Sequence, residues 1–197
     1  MFAVIENGSV ARVIPPDVTF SVNGKEYSHR FIRNSTPEER KAAGVYEIIY
    51  DQEPDQRFYW VDGPTYTVVE IDKNVRATYS SRPKLLEDRP EVKEDGTPLY
   101  VQTYDPAANN GQGAMVDTTE QVVTKGLKSQ WIAQTKAAAN SELAQTDWMV
   151  IRKAERNVDI PADVQDYRVG VLVKCAEKEA AIAACTTVEQ LMVAVQG

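Results

Sequence analysis

The hydrophobic period of this chain switches once, and that switch limits the folds open to it. From Met1 to about Tyr79 short runs alternate apolar and polar residues, the period of two expected of a half-buried strand. From Asp117 onward apolar residues recur three and four apart, the period of a helix packed on one face. Residues 80–116 follow neither rule: Pro83, Pro90, Pro98 and Pro106 with three glycines are too many breakers for a long helix. The expectation is an α+β chain. An antiparallel β-rich domain would occupy residues 1–79, an irregular, extended proline-rich arm or linker residues 80–116, and an α-helical unit residues 117–197. The arm is expected to lack a helix, as a linker or as a segment that a partner orders.

Within the first region, FAVI and VARVI flank Asn7-Gly8, and VTFSV and KEYSHRF flank Asn23-Gly24, which predicts two hairpins with tight two-residue turns. STPEERKAAG then reads as a helical turn: Thr36 caps, Pro37 takes the first helical position, Glu39 closes a capping box and Gly44 ends it. Strands resume with VYEIIY, RFYWV and TYTVVEI. In RFYWV, strand geometry would set Phe58 and Trp60 on one face and Tyr59 on the other.

In the last region Asp117 and Glu120 form a capping-box pattern, and Val123, Leu127 and Trp131 follow at helical spacing, so a helix is predicted from Asp117 to about Leu143. Thr146 is placed to cap a second helix through Ala154, with Asn157 ending it. Pro161 opens a third, whose stripe is Val164, Tyr167, Val171, Cys175 and Ile182. Thr186 and Glu189 cap a short last helix.

With 22 basic against 29 acidic residues and a net charge of −7, spread evenly along the chain, there is no general attraction to nucleic acid or anionic lipid. The first residues lack the basic and apolar regions of a signal peptide, and no stretch reaches the ~18 apolar residues that span a bilayer, so the chain is expected in a cytoplasm. Cys175 and Cys185 lie ten apart in one predicted helix, beyond disulfide reach, and read as small core residues.

Catalytic chemistry finds little to work with. His29 is the one histidine and falls in a predicted strand, which leaves a His-based triad or a nitrogen-and-sulfur metal site without partners. Glu87, Asp88, Glu91, Glu94 and Asp95 alternate with Arg89 and Lys93 and lack cation-loop spacing, so they read as a solvated face. NNGQG at 109–113 has no phosphate-loop lysine and reads as a turn. No enzyme activity, cofactor, catalytic residue or metal ligand is assigned.

The window TDWMVIRKAERNVDIPADVQDYR, residues 146–168, remains. Trp148 and Tyr167 are expected in the core of the helical unit, with Arg152 and Arg168 reaching carboxylates or carbonyls at its edge. These four residues are the candidate partner-binding set, in an assembly role rather than catalysis.

Four strings, STPEERKAAGVYEI, DQRFYWV, QWIAQTKAAANSELAQTDWMVIRKAERNVDIPADVQDYR and EKEAAIAACTTVEQLMVAV, resemble small tail-associated proteins of tailed bacteriophages. The DW…YR order is similar to that of tail-fibre assembly chaperones, where a helical tail follows a variable β-rich part. The resemblance covers the chain to about Asp62 and from about Leu127 to the end; residues 63–116 depart from it. Trp148 would correspond to the Trp of that pattern and Tyr167 with Arg168 to its YR, at longer spacing. It implies a non-enzymatic phage tail protein acting by protein contact, as a fibre-assembly chaperone or a fibre- or baseplate-associated virion component. Its partner would be a tail-fibre or baseplate protein, or a second copy of the chain, met in the host cytoplasm or on the virion tail. The alternative is a module of the phage tail whose β-rich domain binds a host-surface saccharide.

Overall fold

A computed structural model describes residues 1–196. It is an α+β fold that divides into two compact units, Met1–Arg82 and Pro83–Gly197.

The first unit is built on a five-stranded mixed sheet in the order β2-β1-β5-β7-β6. Its strands are β1 (Phe2–Glu6), β2 (Ser9–Ile14), β5 (Val45–Tyr50), β6 (Tyr59–Val69) and β7 (Asn74–Pro83). β1 and β2 form the first expected hairpin, and β3 (Phe20–Val22) and β4 (Lys25–Tyr27) the second. In each turn both residues take positive φ, 52° and 73° at Asn7-Gly8 and 49° and 80° at Asn23-Gly24, the left-handed pair whose twist suits adjoining strands. β5 runs parallel to β7, and β1 antiparallel to β5.

β1 is apolar from Phe2 to Ile5 because both its faces are covered. Ala3 and Ile5 join Tyr46, Ile48, Val75 and Ala77 on one side. Val10 and Val13 from edge strand β2 pack on that same cluster as Tyr66 and Val68 from the opposite edge strand β6, so the sheet curls around it. On the other side Val4 joins Ile14, Phe20, Val22, Ile32 and Val45, which lays the β3–β4 hairpin and α1 (Phe31–Asn34) over the sheet. The capping box at Thr36 and Glu39 forms as expected and starts α2 (Pro37–Ala42).

Two readings in this unit are corrected. RFYWV is not one strand: Phe58 lies fully buried in the turn before β6, while Trp60 on β6 is half exposed. The turn bond from Phe58 N–H to the Asp55 carbonyl, 3.0 Å, breaks the alternation there. His29 sits in an exposed turn after β4, not in a strand.

The second unit joins a small strand region to four helices, and it redraws the boundaries expected from sequence. The long helix does not begin at Asp117. Asp117 and Glu120 lie in β10 (Ala114–Gln121), which pairs antiparallel with β9 (Tyr100–Asp105). Val123 lies in β11 (Val123–Thr124), paired with β8 (Arg89–Pro90). Residues 83–126 are therefore not a bare linker but belong to the same compact unit as the helices. Between β9 and β10 stands a single turn, α3 (Ala108–Gly111), with left-handed backbone at Asn109 and Asn110.

Helix α4 (Leu127–Ala144) starts where the strand region ends, and that region completes its first turn. Leu127 N–H donates to the Leu85 carbonyl at 2.8 Å and Lys128 N–H to that of Leu86 at 3.1 Å. Gly126 N–H donates to the Asp88 carboxylate at 2.8 Å. Orphan donors of a helix end are thus met by a segment some forty residues upstream. α4 packs antiparallel against α6 (Ala162–Ala184), with Ala139, Leu143 and Val171 buried between them. α5 (Asp147–Arg156) links the two and ends on Asn157 at φ 55°, as expected. α7 (Val188–Gln196) follows α6, capped by Thr187, whose hydroxyl accepts from Gln190 N–H, rather than by Thr186.

Candidate partner-binding surface

The four residues singled out by the sequence converge on the α4–α5 junction but divide differently from the expectation. Arg168 is not a free edge group. Its guanidinium donates to the Leu143 carbonyl at 2.9 Å, the Thr146 hydroxyl at 2.6 Å and the Asp147 carboxylate at 2.9 Å. Its side chain keeps 17% exposure. The Leu143 carbonyl in the last turn of α4 also accepts from Thr146 N–H and the Thr146 hydroxyl, and the planar guanidinium from the returning helix adds a further donor to it.

Arg168 thereby takes the interior place that the predicted stripe gave to Tyr167. Spacing does not separate the two, since each stands three or four residues from Val164 and Val171; the acceptors at the end of α4 draw Arg168 inward. Tyr167 is 49% exposed, its hydroxyl 3.4 Å from the Glu142 carboxylate.

Trp148 is also outside the core, at 51% exposure. None of the residues of α5 is buried, so the helix offers no interior for it. The guanidinium of Arg152 lies 5.0 Å from its ring centroid, a cation–π stack in place of the expected carboxylate contact. The Nε of Arg152 is covered and makes no hydrogen bond.

The sequence reading missed what surrounds these groups. Ile151 on α5 and Val169, Leu172 and Val173 on α6 are each about half exposed. On α6 the last three, with Ala176, Ala180 and Ala183, make a second stripe spaced three and four apart, rotated about 130° from the buried one at 100° per residue. α6 packs on α4 along the buried stripe and also meets α7, yet Val169, Leu172 and Val173 of the second stripe remain about half exposed. That second periodicity was present in the sequence, hidden because two stripes on one helix flatten its amphipathic contrast.

A cleft of about 380 Å³ lies between α4 and α6, lined by Trp131, Thr135, Val171, Lys174, Cys175 and Lys178 among others. At its floor the Cys175 thiol stands 3.2 Å from the Glu179 carboxylate, and that hydrogen bond, with burial, pushes the thiol's pKa up. This environment disfavours the thiolate. Glu179 is itself held below the usual carboxylate range, first by its hydrogen bond to Lys136.

In the acidic run expected as a solvated face, Glu87, Glu94 and Asp95 are exposed, yet three of its carboxylates also staple the unit. Asp88 bonds Lys125 and Gly126, Glu87 bonds Lys128, and Glu91 bonds Arg89 and Thr124. Among the described residues no group of three or more His, Cys, Asp or Glu is placed to hold a metal ion, and no helix is long and apolar enough to cross a membrane. No family model, curated protein or solved structure matches the chain.

Proposed function

We propose that this chain is a bacteriophage tail protein that works without catalysis, by gripping another tail protein, either as a tail-fibre assembly chaperone or as a fibre- or baseplate-associated virion component. The observation that carries the reading is the exposed apolar stripe of Val169, Leu172 and Val173 on α6, beside which Trp148 and Ile151 on α5 and Tyr167 on another side of α6 are also about half exposed. Apolar side chains repeated along the solvent side of a helix are the usual form of a helix-borne contact, and Trp and Tyr are the residues that most often dominate binding energy. The DW…YR resemblance supports the same reading, with Arg168 now shaping the junction that presents Trp148 and Tyr167 rather than touching the partner. Assembly would take place in the host cytoplasm.

Co-expression with a fibre protein of the same phage tests it. The fibre should become soluble in the presence of the chain, and Leu172→Asp with Val173→Asp should abolish capture while leaving the far-ultraviolet circular dichroism unchanged. Fibre solubility independent of the chain, together with its absence from purified virions by mass spectrometry, would defeat both forms of the proposal. Presence on virions at fixed stoichiometry selects the structural form, and absence with capture selects the chaperone. The saccharide alternative leans on Trp60, half exposed on β6, and predicts glycan binding that Trp60→Ala removes.

A further inference from the structure

The β9–β10 ribbon is a two-stranded sheet, so the outer edge of each strand pairs with no third strand among the described residues. At its base three segments share hydrogen bonds: Leu99 N–H donates to the Glu91 carbonyl, Glu91 N–H to that of Val122, and Val122 N–H to that of Leu99, all at 2.8 to 3.0 Å. Beyond Leu99 only two strands continue. A two-stranded ribbon alone in water is marginal, and Tyr104 and Met115, paired across it, are 61% and 56% exposed.

The two edges of the ribbon differ. β10 carries an irregularity between Asp117 and Gln121 and the carboxylates of Asp117 and Glu120, which spoil it as a template. The other long edge strands of the described chain are guarded too, β2 by Arg12 and β6 by Pro64. β9, Tyr-Val-Gln-Thr-Tyr-Asp, has no Lys, Arg, Pro or bulge, and its one charge is Asp105 at the end. At the ribbon tip Gly113 has φ 79°, and a Cβ there would fall 1.9 Å from the Tyr104 hydroxyl, so the tyrosine folds over the glycine.

We propose that β9 pairs with β9 of a second copy of this chain, antiparallel about a two-fold axis through Gln102, to give a four-stranded sheet. In that register Gln102 of each copy faces Gln102 of the other, Val101 faces Thr103 and Tyr100 faces Tyr104. These are amide, β-branched and aromatic pairs of the kinds that stabilise cross-strand contacts. Asp105 falls opposite Leu99, so no like charges meet. A parallel arrangement would set the two Asp105 carboxylates side by side, which selects the antiparallel one. Symmetry of this kind closes on itself and stops at a dimer.

The test uses the full chain. Sedimentation velocity should show a dimer, and Gln102→Cys should form an intermolecular disulfide on mild oxidation while Thr119→Cys on β10 does not. Val101→Lys with Thr103→Lys places lysine opposite lysine at two points and should weaken dimerisation at least tenfold without changing circular dichroism. A monomer at all concentrations overturns the proposal. So does a dimer that survives the double lysine variant or fails to cross-link through position 102, because its interface would then lie elsewhere. The cross-linking result stands even if the lysine variant misfolds.

Discussion

Gly126 and Arg168 hold the two ends of α4, and neither role is local in sequence. Gly126 has ordinary φ, yet a Cβ there would fall 2.4 Å from the Glu87 carbonyl carbon and oxygen and 2.6 Å from the Leu86 oxygen. The chain passes so close because the 85–88 segment must reach the first helical N–H groups. Gly126→Ala should therefore destabilise the second unit by about 2–3 kcal/mol, the range for forcing extra volume against fixed backbone, read as a lower midpoint in urea. Arg168→Ala removes a donor from the Thr146 hydroxyl and the Asp147 carboxylate, while the Leu143 carbonyl keeps its bonds from Thr146, and should cost about 1 kcal/mol, discounted because Asp147 is exposed. Trp148→Ala should likewise cost only about 1 kcal/mol, since half of Trp148 is already in water and no residue of α5 is buried. A core Trp148 would have cost several times more; chemical denaturation of that variant separates these cases.

At the scale of elements, the features legible in the sequence are those decided by a few adjacent residues. Asn7-Gly8 and Asn23-Gly24 specify their turns by backbone preference alone, and Thr36 with Glu39 needs only its own helix. The pattern Asp117-Thr-Thr-Glu120 satisfies the same capping rule, yet it became strand β10 because its partner β9 stands across a loop, where no short window shows it. The same distance hid the acidic staple. Asp88, held below the usual carboxylate range by hydrogen bonds from Ser129, Gly126 and Lys125, caps α4 from another element. Glu91 is lowered chiefly by Thr124 and Arg89, and Asp117 chiefly by Gln102. Each of these is ionised more readily folded than unfolded, so its stabilisation is complete above ordinary carboxylate pKa values, about 4, and is lost as pH falls below them. Denaturant midpoints of residues 83–197 should hold between pH 7 and pH 5 and fall steadily from pH 4 to pH 2. Asp88→Asn should flatten part of that fall, and an unchanged acid limb in that variant would count against the staple.

At the scale of the molecule, the same staple decides which fragments can stand alone. Periodicity places the start of an autonomous helical unit at Asp117. The structure divides the chain after Arg82, and the reason is chemical: without residues 85–88 the N–H groups of Gly126, Leu127 and Lys128 lose their acceptors, and without β8 the strand β11 loses its partner. A helix of 18 residues with an uncapped start and only one packed neighbour of comparable length is weakly held. Residues 83–197 should therefore fold as a cooperative unit with the helical circular dichroism of the intact chain, whereas residues 115–197 should show reduced helicity and a broad, non-cooperative thermal transition. Residues 1–82, with both faces of β1 covered from within that segment, should fold independently as well. If residues 115–197 melted as sharply as residues 83–197, the strand region would be an ornament on the helices, and the boundary drawn from periodicity would be the physical one.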